Sequence, residues 1–169
     1  MIKKISLIAL FFISCFAYSN DDLKALRELY YASVESSSKA DGFYKKMNAS
    51  SSTSSITIAY KAMSNMLVAK HSWNPYSKFY YFNTGKELLE KSVSLSSNNV
   101  EIRFLRYCIQ ANAPFFLDYH HQTDEDFKVI KENWAMIKDI DLKNRISDYM
   151  IQSAKLNAEQ KLHFKKETI

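Results

Sequence analysis

Glycine and proline are nearly absent from this chain, with two of each in 169 residues. Average usage of about 7% Gly and about 5% Pro would supply roughly 20. Sheet-rich folds need many tight turns at positive φ, which glycine reaches most cheaply, so the shortage points to long helices joined by Ser, Asn and Asp loops. With 47% apolar and 24% charged residues, collagen-like and disordered classes are excluded as well. Two glycines cannot build phosphate-cradling loops. Neither Gly-x-Ser-x-Gly, His-Glu-x-x-His nor a dinucleotide fingerprint occurs. The chain is therefore read as an all-α protein without an assigned catalytic residue, cofactor or metal, and not as an enzyme.

Long apolar runs are missing too, apart from one short stretch at the start. Met1-Ile2-Lys3-Lys4 followed by Ile5 to Ile13 has the basic head and short apolar body of a secretory signal, and Ala17-Tyr18-Ser19 offers a small-x-small cleavage site. The expected organisation is a leader over 1–19 and one helical domain over 20–169, exported to the periplasm or secreted. Ile13-Ser14-Cys15 opens a second route, a lipoprotein anchored through Cys15. Removing Lys3 and Lys4 with the leader leaves 21 basic residues against 18 acidic, so the net charge falls from +5 to +3. A domain of that charge with no dense Lys/Arg run is a poor nucleic-acid binder. Cysteine is scarce as well: Cys108 alone follows the leader, which forbids an intrachain disulfide and leaves stability to a packed core. About 150 residues suffice for one.

Apolar spacing of three and four marks the helices. Leu23, Leu26, Tyr30 and Val34 share one face of a first helix; Ser38 with Asp41 suggests the cap of a second, carrying Ala40, Phe43, Tyr44 and Met47. The Ser-rich stretch from Asn48 to Ser55 reads as a loop. A third helix carries Ile56, Ala59, Tyr60, Met63 and Leu67, and a fourth runs from about Lys78 to Leu95. Asn98 with Glu101 suggests the start of a fifth, from Val100 to Ala111, stopped by Pro114. Thr123 is the expected cap of a sixth, with Asp124, Glu125 and Asp126 in its positive first turn. Asp141 is the expected cap of a seventh, and Asn157 with Gln160 starts a short helix through Phe164.

Gly85, Leu89 and Ser92 fall at the small, large, small positions of the second helix of a tetratricopeptide repeat, and Asn98-Asn99 matches the turn after it. This stretch resembles a degenerate repeat of that family. Ser97 stands where proline is typical, and Arg103, Arg106 and Tyr107 replace the next helix's apolar residues. More broadly, Ala69-Lys70-His71-x-Trp73-Asn74-Pro75-Tyr76, Asn99-x-Glu101-Ile102-Arg103-Phe104-Leu105-Arg106 and Pro114-x-Phe116-Leu117-x-Tyr119 resemble motifs of a group of short exported bacterial proteins. The resemblance implies stacked antiparallel helix hairpins, about seven helices forming a right-handed superhelix or an irregular bundle. It leaves the activity open.

The fifth helix is apolar nearly all round except for a stripe of Arg103, Arg106 and Gln110, so it should be central. Buried arginines stay charged and demand acceptors. Glu101, Asp118 or helix-end carbonyls would meet that demand internally; otherwise the stripe is a floor for an outside carboxylate such as a peptide C-terminus. His71, Trp73 and Asn74 form a hydrogen-bonding and stacking loop at its rim, or merely a turn whose Trp73 plugs the core. The aromatic clusters Phe79 to Phe82 and Phe115-Phe116 read as core, or as the rim of a groove. Asp118, His120, His121, Asp124 and Asp126 are metal-capable, but adjacent histidines are expected to diverge.

These readings lead to a helical-repeat module binding another envelope protein or peptide through Arg103, Arg106, Gln110, His71, Trp73 and Asn74. Two other classes compete with it. One is a small envelope hydrolase using His71 or His120 as base with Glu101 or Asp118; the other is a lipid-anchored structural subunit.

Overall fold

The computed structural model describes residues 20–165, and within them the chain is helical, with no strand among the described residues. The stretch read above as a leader, with Cys15, lies outside the described residues. Eight helices follow in order: α1 (Asn20–Val34), α2 (Ser37–Ala49), α3 (Ser55–His71), α4 (Pro75–Leu95), α5 (Val100–Asn112), α6 (Thr123–Asn133), α7 (Ile140–Gln152) and α8 (Ala158–His163). Two single 3-10 turns, Phe115–Leu117 and Trp134–Met136, flank α6. None of the described helices is long and apolar enough to cross a membrane.

Side-chain caps define most of the helix starts. Ser36, Ser54, Asn74, Asn99 and Asp139 each accept a hydrogen bond from a backbone N–H in the first turn, and Asn157 with Gln160 forms a reciprocal box. Four of these starts differ from the sequence reading by one to three residues. Ser36, not Ser38, caps α2, and Asn99, not Asn98, caps α5. Asp139 caps α7, which leaves the Asp141 carboxylate free to meet arginines. Thr123 begins α6 without capping it; its hydroxyl donates to the His120 carbonyl. Helix α4 starts at Pro75, whose ring suits the first helical position, rather than at Lys78.

Helices α3 and α4 run antiparallel. Ser92 of α4 donates to the Ser55 carbonyl at the start of α3 (2.7 Å), and midway along the same pair a Cβ at Gly85 would stand 3.0 Å from the Ala62 carbonyl oxygen. A side chain at this position would have to push the Ala62 backbone or the Met66 side chain aside by a few tenths of an ångström, which glycine avoids. Helices α1, α2, α3, α4 and α5 share one core built on Leu26, Phe43, Met63, Leu89 and Ile102. A second core joins Phe104 and Tyr107 of α5 to Ile130, Trp134, Ile146, Met150 and Phe164. Helix α5 belongs to both, which makes it central as its pattern predicts. Fully burying one such side chain is worth about 1.5–3 kcal/mol, and among the described residues these cores hold the helices together, with Cys108 left as a free thiol.

Candidate functional site

The arginine stripe of α5 is buried and internally satisfied. Arg106 donates to both oxygens of Asp126 (2.8 Å each) and to Glu90 (2.7 Å); Arg103 donates to Asp126 (2.9 Å), to Glu125 (2.7 Å) and to the Ser97 carbonyl. Asp126 is 0% exposed. Burial alone would weaken the charge on Arg106, but its hydrogen bonds to Asp126 and the nearby carboxylates outweigh that and hold it charged. Gln110 donates to the Gln122 side chain (3.0 Å) and accepts from the Gln122 N–H (3.1 Å). All three residues therefore fasten α6 to α5. Their acceptors come from α4, from the Ser97 carbonyl just past its end, and from α6 with its preceding Gln122, rather than from Glu101 or Asp118, and the stripe offers no open floor to an outside carboxylate.

The remaining predicted residues have structural or exposed settings in the α3–α4 connection. His71 ends α3 with its ring nitrogen 3.3 Å from the Ser33 carbonyl, tying α3 to α1. Asn74 spends its side chain on capping α4. Trp73 plugs no core; it is 97% exposed. Of the base and carboxylate pairs considered for a hydrolase, the structure brings His120 and Asp118 together and gives Glu101 other partners. Glu101 is bound by Arg27 and Tyr60 inside the molecule, whereas Asp118 and His120 come together on the outer surface. Adjacent His120 and His121 do not diverge, for their ring centroids are 4.5 Å apart.

What the structure builds instead is an apolar groove of about 550 Å³, within the range of ligand sites. Met66 and Ala69 of α3 and Phe82 of α4 form its base. Phe79 stands on one wall, and Ile109, Pro114, Phe116 and Leu117 form the other. Lys70 and Lys78 are its charged lining residues and no acidic residue lines it, but the Lys70 ammonium is engaged by Glu35 (2.9 Å) and donates to the Val34 carbonyl (2.7 Å). Phe79 and Phe116 are 61% and 82% exposed, while Tyr76, Tyr80 and Phe115 beside them are exposed as well. Exposed aromatic area of this kind is uncommon on a folded domain.

The aromatic clusters thus divide: Phe82 is core, whereas Phe79, Tyr80, Phe115 and Phe116 are not. Helical geometry gives the reason. Four consecutive residues at 3.6 per turn point almost all round a helix, so a run such as Phe79 to Phe82 cannot be wholly internal. Pro114 and the left-handed backbone of Asp118 (φ 48) bracket the 3-10 turn that carries Phe115 and Phe116 outward. An aromatic run longer than one helical face was the signal available in the sequence.

Cys108 faces the second core, where burial pushes its thiol well above the ordinary range. The native protein is therefore expected to resist iodoacetamide at Cys108 at mildly alkaline pH and to react once unfolded in urea, as read by peptide mass spectrometry.

Compared with known proteins, the chain matches no family model, no curated protein and no solved structure.

Proposed function

We propose that this is an exported helical-repeat protein that binds a peptide segment of another envelope protein in the groove between α3, α4 and the turn after α5. The observation that carries the reading is an apolar groove with no acidic lining residue, where Lys78 stands as a lining cation beside a Lys70 already engaged by Glu35. An occupant matching it has aliphatic or aromatic side chains together with a carboxylate. The antiparallel α3–α4 pair, with α1 against α3 and α3 against α5, supports the repeat-like arrangement. The basic head and apolar body of residues 1–13 support export.

A fluorescein-labelled amphipathic peptide of Leu, Phe and Glu, and its counterpart with Lys for Glu, test this by anisotropy. The acidic peptide is expected to bind the wild type and to lose roughly tenfold or more in affinity on Phe79→Asp or Phe116→Asp. Both side chains are largely exposed, so these variants retain the fold. Lys78→Glu is expected to weaken the acidic peptide and strengthen the basic one. Equal binding of both peptides, indifference to the Phe variants, or capture by anionic lipid vesicles in place of the acidic peptide would overturn the reading.

A further inference from the structure

The loop between α5 and α6 brings together three metal-capable side chains that the groove does not use. Asp118, His120 and His121 each offer one ligand atom, and the three atoms lie within 4.8 Å of one another. We propose that they form a binding site for a divalent late transition-metal ion, with Zn²⁺ the natural probe. Two imidazoles and a carboxylate suit such an ion, whereas Mg²⁺ and Ca²⁺ prefer sites made of oxygen alone.

Local geometry supports the assignment. Asp118 has φ 48 and ψ 47, a conformation that aspartate tolerates better than most residues and that turns the chain back so that its carboxylate reaches His121 (3.0 Å). Phe115 stacks on His120 with centroids 5.1 Å apart and planes within 24°, which restricts that ring. The two imidazoles lie side by side with centroids 4.5 Å apart. Ligand atoms around a tetrahedral Zn²⁺ at about 2.0–2.1 Å stand roughly 3.3 Å from one another, so the three need draw in by only about 1.5 Å at most. Asp118 and His121 are exposed and move without disturbing a core. Three protein ligands on an open surface leave a fourth position for water. The same short turn carries Phe116 and Leu117 into the groove wall, so a bound ion would fix that wall in place.

Isothermal titration of the untagged protein with Zn²⁺, and of Co²⁺ followed by visible absorption, tests the site. One ion per chain is expected at micromolar affinity, with the ring-nitrogen NMR signals of His120 and His121 shifting together. His120→Ala with His121→Ala is expected to weaken binding by roughly 100-fold with an unchanged thermal melt, and Asp118→Asn by roughly tenfold. His71→Ala and His163→Ala are expected to have no effect. The proposal falls if the wild type binds Zn²⁺ no tighter than millimolar, if the His120/His121 double variant binds as well as the wild type, or if either distant histidine proves necessary.

Discussion

Asp126→Ala is expected to destabilise the protein by about 3–5 kcal/mol, as measured by urea unfolding. Asp126 is wholly buried and accepts three hydrogen bonds, one from Arg103 and two from Arg106. Deleting the carboxylate removes the counter-charge shared by two guanidinium groups that are themselves 5% and 3% exposed. Neither group can lose its proton, so both stay charged and repel across the vacated space. Glu90 and Glu125 compensate only in part because their side chains are 39% and 56% exposed and each is shared with solvent. Total stabilities of about 5–15 kcal/mol make a loss of this size enough to populate the unfolded state. Glu125→Ala supplies the contrast: it also contacts Arg103, yet it sits at the surface and is expected to cost no more than about 1 kcal/mol. Equal effects for the two variants would show that burial does not set the strength of this network.

The fold was more legible than the site, for a physical reason visible in particular residues. Helical periodicity and the scarcity of glycine are local properties, and Leu23, Leu26, Tyr30 and Val34 announce α1 without knowledge of anything beyond it. Helix starts were legible to within about one turn, because capping is local but several neighbouring residues compete for it. Asp139 and Asp141 are equivalent on paper, and both accept from the same nitrogen of Arg27; in the fold Asp139 also caps α7, whereas Asp141 also accepts from Arg145. The arginine stripe was legible as buried charge, but its partners were not. Asp126 lies 20 residues from Arg106, and Glu90 lies 16 residues from it on another helix. The groove was least legible, since Met66, Phe79, Ile109 and Phe116 become neighbours only when α3, α4 and α5 pack. Their surplus of aromatic area over what one buried face can hold was the sole trace in the sequence.

Glu101→Ala is expected to cost about 3–5 kcal/mol as well, with a consequence that separates it from Asp126→Ala. Arg27 of α1 is 1% exposed and grips Glu101 of α5 through two 2.7 Å hydrogen bonds, while its third nitrogen reaches Asp139 and Asp141 at the start of α7. Tyr60 of α3 donates to the same Glu101 at 2.6 Å. The Arg27–Glu101 pair thus links α1, α3, α5 and α7. Without Glu101 the Arg27 charge keeps only Asp139 and Asp141, both partly hydrated, and the Tyr60 hydroxyl is left buried without its acceptor. Desolvation of both ions weighs against the intact pair, so the combined variant Arg27→Met, Glu101→Leu and Tyr60→Phe is expected to recover stability to within about 1 kcal/mol of the wild type. Recovery of stability need not bring recovery of geometry. Nothing would then draw Asp139 and Asp141 inward, and the first turn of α7 is expected to lose hydrogen-exchange protection even in the restored variant. Full protection there would mean that the apolar contacts of Leu142 and Ile146 seat α7 unaided, and that the buried arginine contributes charge pairing without setting the position of the helix.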